Sequence, residues 1–393
     1  MDLLSRSTIL YINQVRQDNF EVLIGKGFSE AFSWRNYFKK IIFICYSTTN
    51  EILYKKVYDN CYLIGIPFDL SKSPFKSILN IGKNYLKLFL QVRRLIKITK
   101  IDIIRMENLL LSGLPIYILC KTKKIPYIIW LGGYERKALY LKYKKNFFTW
   151  LLAKFIIFFE IIILKNANFV FPVTDQLMDL VKKRNIKNSF LSPNYVDLSK
   201  FKNLKSNSRS IKKYKILYVG RFEEEKGIKV LLNAIKLLQN ELNNFKLLMV
   251  GDGSLKEWVK KFVAKNQIKD VKLCGLFNHE DMPAIYNSAD IFILPSYTEG
   301  SPASLLEAMS CGTASIATSV GECKKIIKNG ENGLLIPPGD PKIMAENLKI
   351  LIENKNLRAH FEEKGKISIE KYTMNYKKIH KYVYQQIIKL FNK

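Results

Sequence analysis

Four charged side chains in the second half of the chain stand at spacings that suit one substrate class. LYVGRFEEEKG, 217–227, ends an apolar run in Gly220 and follows it with Arg221 and, five positions on, Lys226. A glycine there permits a tight turn. Arg221 offers a planar fork of donors and Lys226 a point charge, a pair suited to the two phosphates of a diphosphate. A helix start at this place adds free N–H groups and the positive end of a dipole. The plainer alternative is that Arg221 and Lys226 only neutralise Glu223, Glu224 and Glu225.

The second pair lies in EGSPASLLE, 299–307, where Glu299 and Glu307 flank Ser301-Pro302. The preceding IFILPS, 291–296, reads as a buried strand, which puts residues 297–301 in the loop at its carboxyl end. Ser301 is then expected as N-cap and Pro302 as the first residue of a helix ending at Gly312. Glu299 precedes that helix and Glu307 lies more than a turn inside it. The amides of Ser301, Ala303 and Ser304 lie between them. Amides hold phosphate, and carboxylates accept hydrogen bonds from sugar hydroxyls. The layout of hydroxyl, phosphates, hydroxyl suits a nucleotide-diphosphate sugar. No D-x-D run is present, so neither a metal-bound diphosphate nor a cofactor is expected.

Such groups need strands to hold them. In the first half, runs at 7–13, 40–46, 61–66, 101–106, 126–131 and 168–173 are short, apolar and bounded by polar residues. Helix-length pieces at 76–99 and 109–123 separate some of them. The second half repeats the pattern, with strands at 215–220, 246–251, 271–275, 291–296, 314–318 and 333–337 and helices at 226–240, 254–266, 279–288, 302–311 and 340–354. Apolar strands joined by helices predict parallel sheets covered on both faces. The fold class is therefore α/β: two Rossmann-like, doubly wound domains facing across a cleft. The polar stretch 203–215 is the expected linker. It gives a basic, acceptor-binding domain over 1–205, a nucleotide-sugar-binding domain over 206–370 and a C-terminal helix over 371–393 that packs back on the first.

Composition narrows the class. The 393 residues are 48% hydrophobic and 25% charged, which excludes disordered and collagen-like chains. Net charge is +30, and residues 1–205 carry 34 Lys and Arg against 14 Asp and Glu. This field attracts diphosphates or an anionic membrane surface. No nucleic-acid-binding motif accompanies it, so nucleic acid is not expected as a partner. Six cysteines without a CxxC pair predict reduced, mostly buried thiols. The N-terminus has no signal-peptide pattern. In FFTWLLAKFIIFFEIIIL, 147–164, Lys154 and Glu160 interrupt the apolar run. This favours a core or interfacial helix over a membrane span. Lys142, Lys144 and Lys145 ahead of it suit an anionic membrane face.

VGRFEEEKG, VGDGSL, YNSADIFILPSYTEGSPASLLEAMSCG and NGENGLLIPPGD resemble the C-terminal domain of the family 4 retaining glycosyltransferases of GT-B fold, over about residues 215–350. EGSPASLLE is similar to that family's E-x7-E element. More loosely, KNANFVFPVT (165–174) and SPNYVDLSKF (192–201) resemble the segment before its linker, with Pro193, Asn194 and Asp197 in place. The resemblance implies that Arg221 and Lys226 hold the leaving diphosphate, Glu307 the ribose and Glu299 the donor sugar. It also implies that backbone near Phe277 meets the base. It further implies metal-independent transfer with retention, by same-face attack on the sugar. Two departures stand out. The only histidines are His279, His360 and His380, so backbone groups of Trp130–Gly133 would replace a first-domain histidine contact. The only candidate for a glycine-rich turn after the first strand is GKG, 25–27, which reads better as a plain turn. Gly251–Gly253 reads as a plain turn and His279 as a surface or capping residue.

The expected protein is thus a hexosyltransferase moving sugar to a saccharide acceptor, lipid-linked, in bacterial surface polysaccharide assembly: O-antigen (lipopolysaccharide), capsule or exopolysaccharide. It would be cytoplasmic and peripheral at the inner face of the membrane. A soluble acceptor is the alternative within this reading, and a nucleotide-sugar epimerase of the same fold and a non-catalytic membrane-associated scaffold are the competing ones.

Overall fold

The computed structural model describes residues 7–17, 38–47, 51–67, 74–107, 109–132, 147–204 and 213–391. GKG at 25–27, Gly133 and Lys142, Lys144 and Lys145 fall outside them. The chain forms two units. Residues 1–192 and 379–393 make the first and residues 193–378 the second.

The first unit is built on a seven-stranded sheet: β1 (Thr8–Gln17), β2 (Lys40–Ser47), β3 (Leu53–Tyr58), β4 (Cys61–Pro67), β5 (Ile103–Met106), β6 (Tyr127–Leu131) and β7 (Phe169–Pro172). Its order is β3-β4-β2-β1-β5-β6-β7. All pairings are parallel except β3 with β4. The helices are α1 (Pro74–Ile98), α2 (Leu109–Lys123), α3 (Phe147–Lys165) and α4 (Asp175–Lys183). β3 was not foreseen. It carries Tyr and Lys rather than a buried apolar run, as an edge strand can. Among the described residues no helix is long and apolar enough to cross a membrane. In α3, Glu160, Ile163 and Leu164 are buried while Phe158 and Lys154 are exposed.

The first core contains a charge. Arg105 on β5 is fully buried, its guanidinium 4.4 Å from the centre of the Tyr11 ring and 4.0 Å from that of Trp130. It donates to Glu107 at 2.9 Å, and the Tyr11 hydroxyl donates to the same carboxylate oxygen. Stacking and pairing offset the cost of burying the charge. The Trp130 side chain is therefore committed to packing.

The second unit holds β8 (Tyr214–Val219), β9 (Phe245–Val250), β10 (Val271–Gly275), β11 (Ile291–Leu294), β12 (Ala314–Thr318) and β13 (Leu334–Ile336). All six are parallel, in the order β10-β9-β8-β11-β12-β13. The connecting helices are α5 (Ile228–Leu238), α6 (Lys256–Lys265), α7 (Met282–Ser288), α8 (Ala303–Ser310), α9 (Cys323–Ile326) and α10 (Pro341–Glu353). Successive side chains of β8 enter opposite cores: Ile216 and Tyr218 one, Leu217 and Val219 the other. Both faces of the central strands are covered, so these strands are mostly apolar, with Lys215, Lys246 and Lys272 near the starts of β8, β9 and β10.

The unit boundaries differ from those expected at 205/206 and 370/371. Val196 and Phe201 are buried in the second unit's core, and Asn287 bonds the backbone of Lys202 and Leu204. Residues 193–204 therefore belong with the second unit, ahead of the polar stretch. The last helix, α11 (Lys355–Phe391), is continuous. Its residues Val383 and Ile387 are buried in the first unit's core, where His380 meets Ser192 and the Trp130 ring.

Candidate active site

Strand order locates the site. From β8 the chain winds outward through β9 and β10, and from β11 it winds the other way through β12 and β13. The carboxyl ends of β8 and β11 thus border the point where the winding reverses, the usual ligand crevice of an open parallel sheet.

After β8, the Gly220 amide donates to Val250 O, and the Tyr218 hydroxyl donates to Arg221 O at 2.8 Å. Burial, reinforced by the Glu299 carboxylate, pushes the Tyr218 phenol well up, so it stays a neutral donor. A 3-10 turn, Glu224–Lys226, follows and closes on Gly227 at φ 67°. A Cβ at Gly227 would stand 2.0 Å from Pro295 O, so only glycine lets this turn lie against the end of β11. The Tyr297 amide donates to Glu225 O at 2.9 Å, joining the two loops.

Two of the four charged residues meet there. Lys226 Nζ lies 2.7 Å from Glu299 Oε1, with the carboxylate side chain 7% exposed. The Ser296 hydroxyl donates to the same oxygen at 2.6 Å, and Thr318 holds Ser296 O in turn. Both donors to Glu299 described here use Oε1, so Oε2 is the oxygen left to accept a hydroxyl. Arg221 does not join them. Its exposed guanidinium bonds Glu225 at 2.9 Å, a pairing of little stability value that a ligand can replace.

Glu307 sits on α8 with partners of its own. Its Oε2 accepts from the Tyr286 hydroxyl at 2.8 Å, and its Oε1 lies 3.1 Å from His279 Nε2. Tyr286 is fully buried, and burial with the neighbouring carboxylate raises its phenol far above the usual range, which fixes it as a donor. His279 is half-buried with its ring 5.1 Å from that of Phe201, which corrects its reading as a surface or capping residue. Phe277 lies half-buried in the same loop, against the core.

Ser301 is not the N-cap. Pro302 occupies that position without a side-chain bond, and α8 starts at Ala303. The Ser301 hydroxyl instead accepts from the Asn194 amide at 3.2 Å, while Asn194 Nδ2 donates to Ser301 O. The first internal acceptor of the helix, Pro302 O, is taken by Leu305 and Leu306. The Ala303 and Ser304 amides precede that turn and point out of the helix end.

The spacing of charges does not show Ser296, Tyr286 or the pairing of His279 with Glu307. Ser296 was legible as the polar residue ending a buried strand, whereas nothing local marks Tyr286, whose partner Glu307 is 21 positions away. For His279 no local signal exists, because Glu307 is 28 positions away.

All six cysteines are free, and only Cys274 is not fully buried. Burial pushes the Cys45, Cys120 and Cys323 thiols up to about 12, with Glu299 adding to Cys323. A maleimide is expected to label Cys274 first, by at least about tenfold in rate. Peptide mass mapping of a labelling time course would show this, and early labelling of Cys323 would contradict the site's packing.

Residues 199–368 match the family model described as glycosyl transferases group 1. An uncharacterised glycosyltransferase of Methanocaldococcus jannaschii is 34% identical over 169 residues, covering 42% of this chain and 47% of that protein. The amylovoran biosynthesis glycosyltransferase of Erwinia amylovora is 32% identical over 150 residues, 36% of this chain and 37% of that protein. The chain thus spans less than half the length of either relative. Among solved structures, the sucrose-phosphate synthase of Thermosynechococcus elongatus superposes with a TM-score of 0.77 at 20% identity, over 98% of this chain and all of that one. The Anabaena HepE complex with UDP and glucose gives 0.67 at 14% identity, over 96% and 98%. The fold expected from sequence, two Rossmann-like domains of the GT-B class, is the one observed.

Proposed function

We propose that the protein is a glycosyltransferase that takes a sugar from a nucleotide-diphosphate donor and passes it to a saccharide hydroxyl. What carries the reading is the arrangement of cation, carboxylate and helix start at one winding reversal: Lys226 on Glu299, beside the opening of α8. The family match over the second unit and the UDP-bound structural neighbour support it. Glu307 would take the ribose hydroxyls, and Phe277 would lie near the base. Gly220, Arg221, Lys226 and the amides of Ser301, Ala303 and Ser304 would hold the diphosphate. Glu299 Oε2 would accept from the donor sugar.

The reaction we assign is retention by same-face attack, as the E-x7-E element of family 4 enzymes implies. The bond from the anomeric carbon to the diphosphate breaks, and a bond to the acceptor oxygen forms on the same face. The acceptor proton leaves on a phosphate oxygen. No protein nucleophile is needed. Arg221, Lys226 and the helix amides supply the leaving-group charge stabilisation that a metal would otherwise give. The basic first half of the chain favours a lipid-linked acceptor, in surface polysaccharide assembly at the cytoplasmic face of a membrane.

Thermal shift with UDP, GDP and ADP tests the donor site. A ligand at about 100 times its dissociation constant adds about 2.7 kcal/mol. One diphosphate is expected to act, and Glu307→Ala to abolish most of its effect. Tyr286→Phe, which removes one hydrogen bond worth about 1 kcal/mol, should weaken it about fivefold. No shift with any diphosphate would remove the donor site. Turnover of labelled donor then separates the rivals. A new free nucleotide sugar means epimerase, and no product of any kind means scaffold.

A further inference from the structure

The first unit carries an exposed surface that the donor site does not explain. Helix α1, 25 residues long, contains Lys76, Lys83, Lys87, Arg93, Arg94 and Lys97 and no acid. One face is core, with Leu88 and Val92 fully buried and Asn84 and Leu95 nearly so. The opposite face shows Leu86 at 58% exposure and Leu90 at 51%, set among Lys83, Lys87, Arg93, Arg94 and Lys97. These five cations have no acidic partner among the described residues. Ile98, 70% exposed, ends the helix at a groove of about 250 Å³ formed with the β3–β4 hairpin. Lys40, Lys55, Lys56, Tyr54 and Tyr62 line the groove beside it, and Tyr54 is 63% exposed. Of the seven large apolar side chains described as exposed in this unit, four lie on this strip.

A solvated lysine face would account for the cations but not for leucine and isoleucine among them. An ordinary protein interface would account for the apolar chains, yet interface cores are depleted in lysine. Apolar side chains rimmed by the five α1 cations match a surface that is negative at the headgroups and apolar beneath. We propose that α1 and the β3–β4 edge form the contact by which this protein lies on an anionic phospholipid membrane. Leu86, Leu90 and Ile98 would enter the interface, and the lysines would meet lipid phosphates. The site differs from the 142–164 segment that the sequence pointed to. It rests on the lipid-linked acceptor reading only for its purpose, since binding is measured with no sugar present.

The test is co-sedimentation of the full chain with vesicles of mixed phosphatidylglycerol and phosphatidylcholine, and with phosphatidylcholine alone. Binding to the mixed vesicles only is expected. It should weaken strongly from about 0.1 M to about 1 M salt, where the screening length falls from about 10 to about 3 Å. Lys83→Gln with Lys87→Gln should weaken partitioning roughly thirtyfold, at about 1 kcal/mol per surface cation. Leu86→Ser with Leu90→Ser should do so at least about tenfold. The control Lys236→Gln with Lys265→Gln, on exposed positions of the second unit, should change partitioning less than twofold, a limit set by surface substitutions generally. All these side chains are solvent-facing, so folding is checked simply by the melting curve. Absence of vesicle binding overturns the proposal, as does equal loss in the control pair. So does a concentration-dependent dimer that the leucine variant dissolves without any vesicle binding. Nucleotide binding is expected to be unchanged in every variant. Failure here therefore leaves the donor site standing, and failure of the donor site leaves this surface standing.

Discussion

Lys226→Ala is expected to lower kcat/KM for sugar transfer by about three orders of magnitude, the upper range for removing one charge-stabilising donor. It should also destabilise the second unit by about 3 kcal/mol, because Glu299 is left almost buried with only the Ser296 hydroxyl on its Oε1. Those two losses have separate origins, and a second variant separates them. In Lys226→Met with Glu299→Gln no buried charge remains unpaired, so most of the stability should return. Activity should not return, because neither the cation nor the carboxylate is present. Steady-state kinetics and urea unfolding followed on the second unit measure both. If the double variant regained stability and activity together, the pair would be structural only. If Lys226→Ala unfolded nothing and slowed nothing, the pair would be an incidental surface contact. Arg221→Ala should show the opposite balance. Its pairing with Glu225 is exposed, so the stability cost should be under about 1 kcal/mol while the diphosphate still loses a donor.

How far the sequence carried the fold follows from the range of each signal. Strand runs such as 291–296 were legible because both sheet faces are buried and the residues are apolar without alternation. β3 was not, since an edge strand with Tyr and Lys has no such run and is recognisable only from its partner β4. The charged residues of the site were legible as types and spacings, but their pairings were not. Lys226 could have met any of three nearby glutamates, yet it meets one 73 positions away, because Gly227 brings the turn against Pro295. Ser301 had the composition of an N-cap. Asn194, brought alongside from more than a hundred positions earlier, takes its hydroxyl instead. Local propensity gave way to tertiary contact in both cases. The boundary of the units was misplaced for a related reason. Polarity marks where a chain is solvated, whereas Val196 and Phe201 mark where it has already joined the next core.

Gly321→Ala should cost about 4 kcal/mol or more and remove nucleotide binding with it. Gly321 has φ 48°, and a Cβ there would stand 1.9 Å from Glu299 O. The loop after β12 thus presses its backbone directly on the loop that carries the site carboxylate, and the Glu322 amide donates to Gly300 O beside it. A methyl group must push these loops apart, which displaces Glu299 from Lys226 and Ser296. Gly330 supplies the comparison. It has φ 77° but open space around the position of a Cβ. Gly330→Ala therefore has only the left-handed backbone to bear, about 1–2 kcal/mol, and should bind nucleotide as the parent does. Unfolding curves and nucleotide titration of the two variants measure the contrast. If both lost the same stability and Gly321→Ala still bound nucleotide, backbone conformation alone would account for the cost, and the two loops could separate without harm to the site. If only Gly321→Ala lost binding, the position of Glu299 would depend on contact between main chains, which no charged or polar residue in the motif reports.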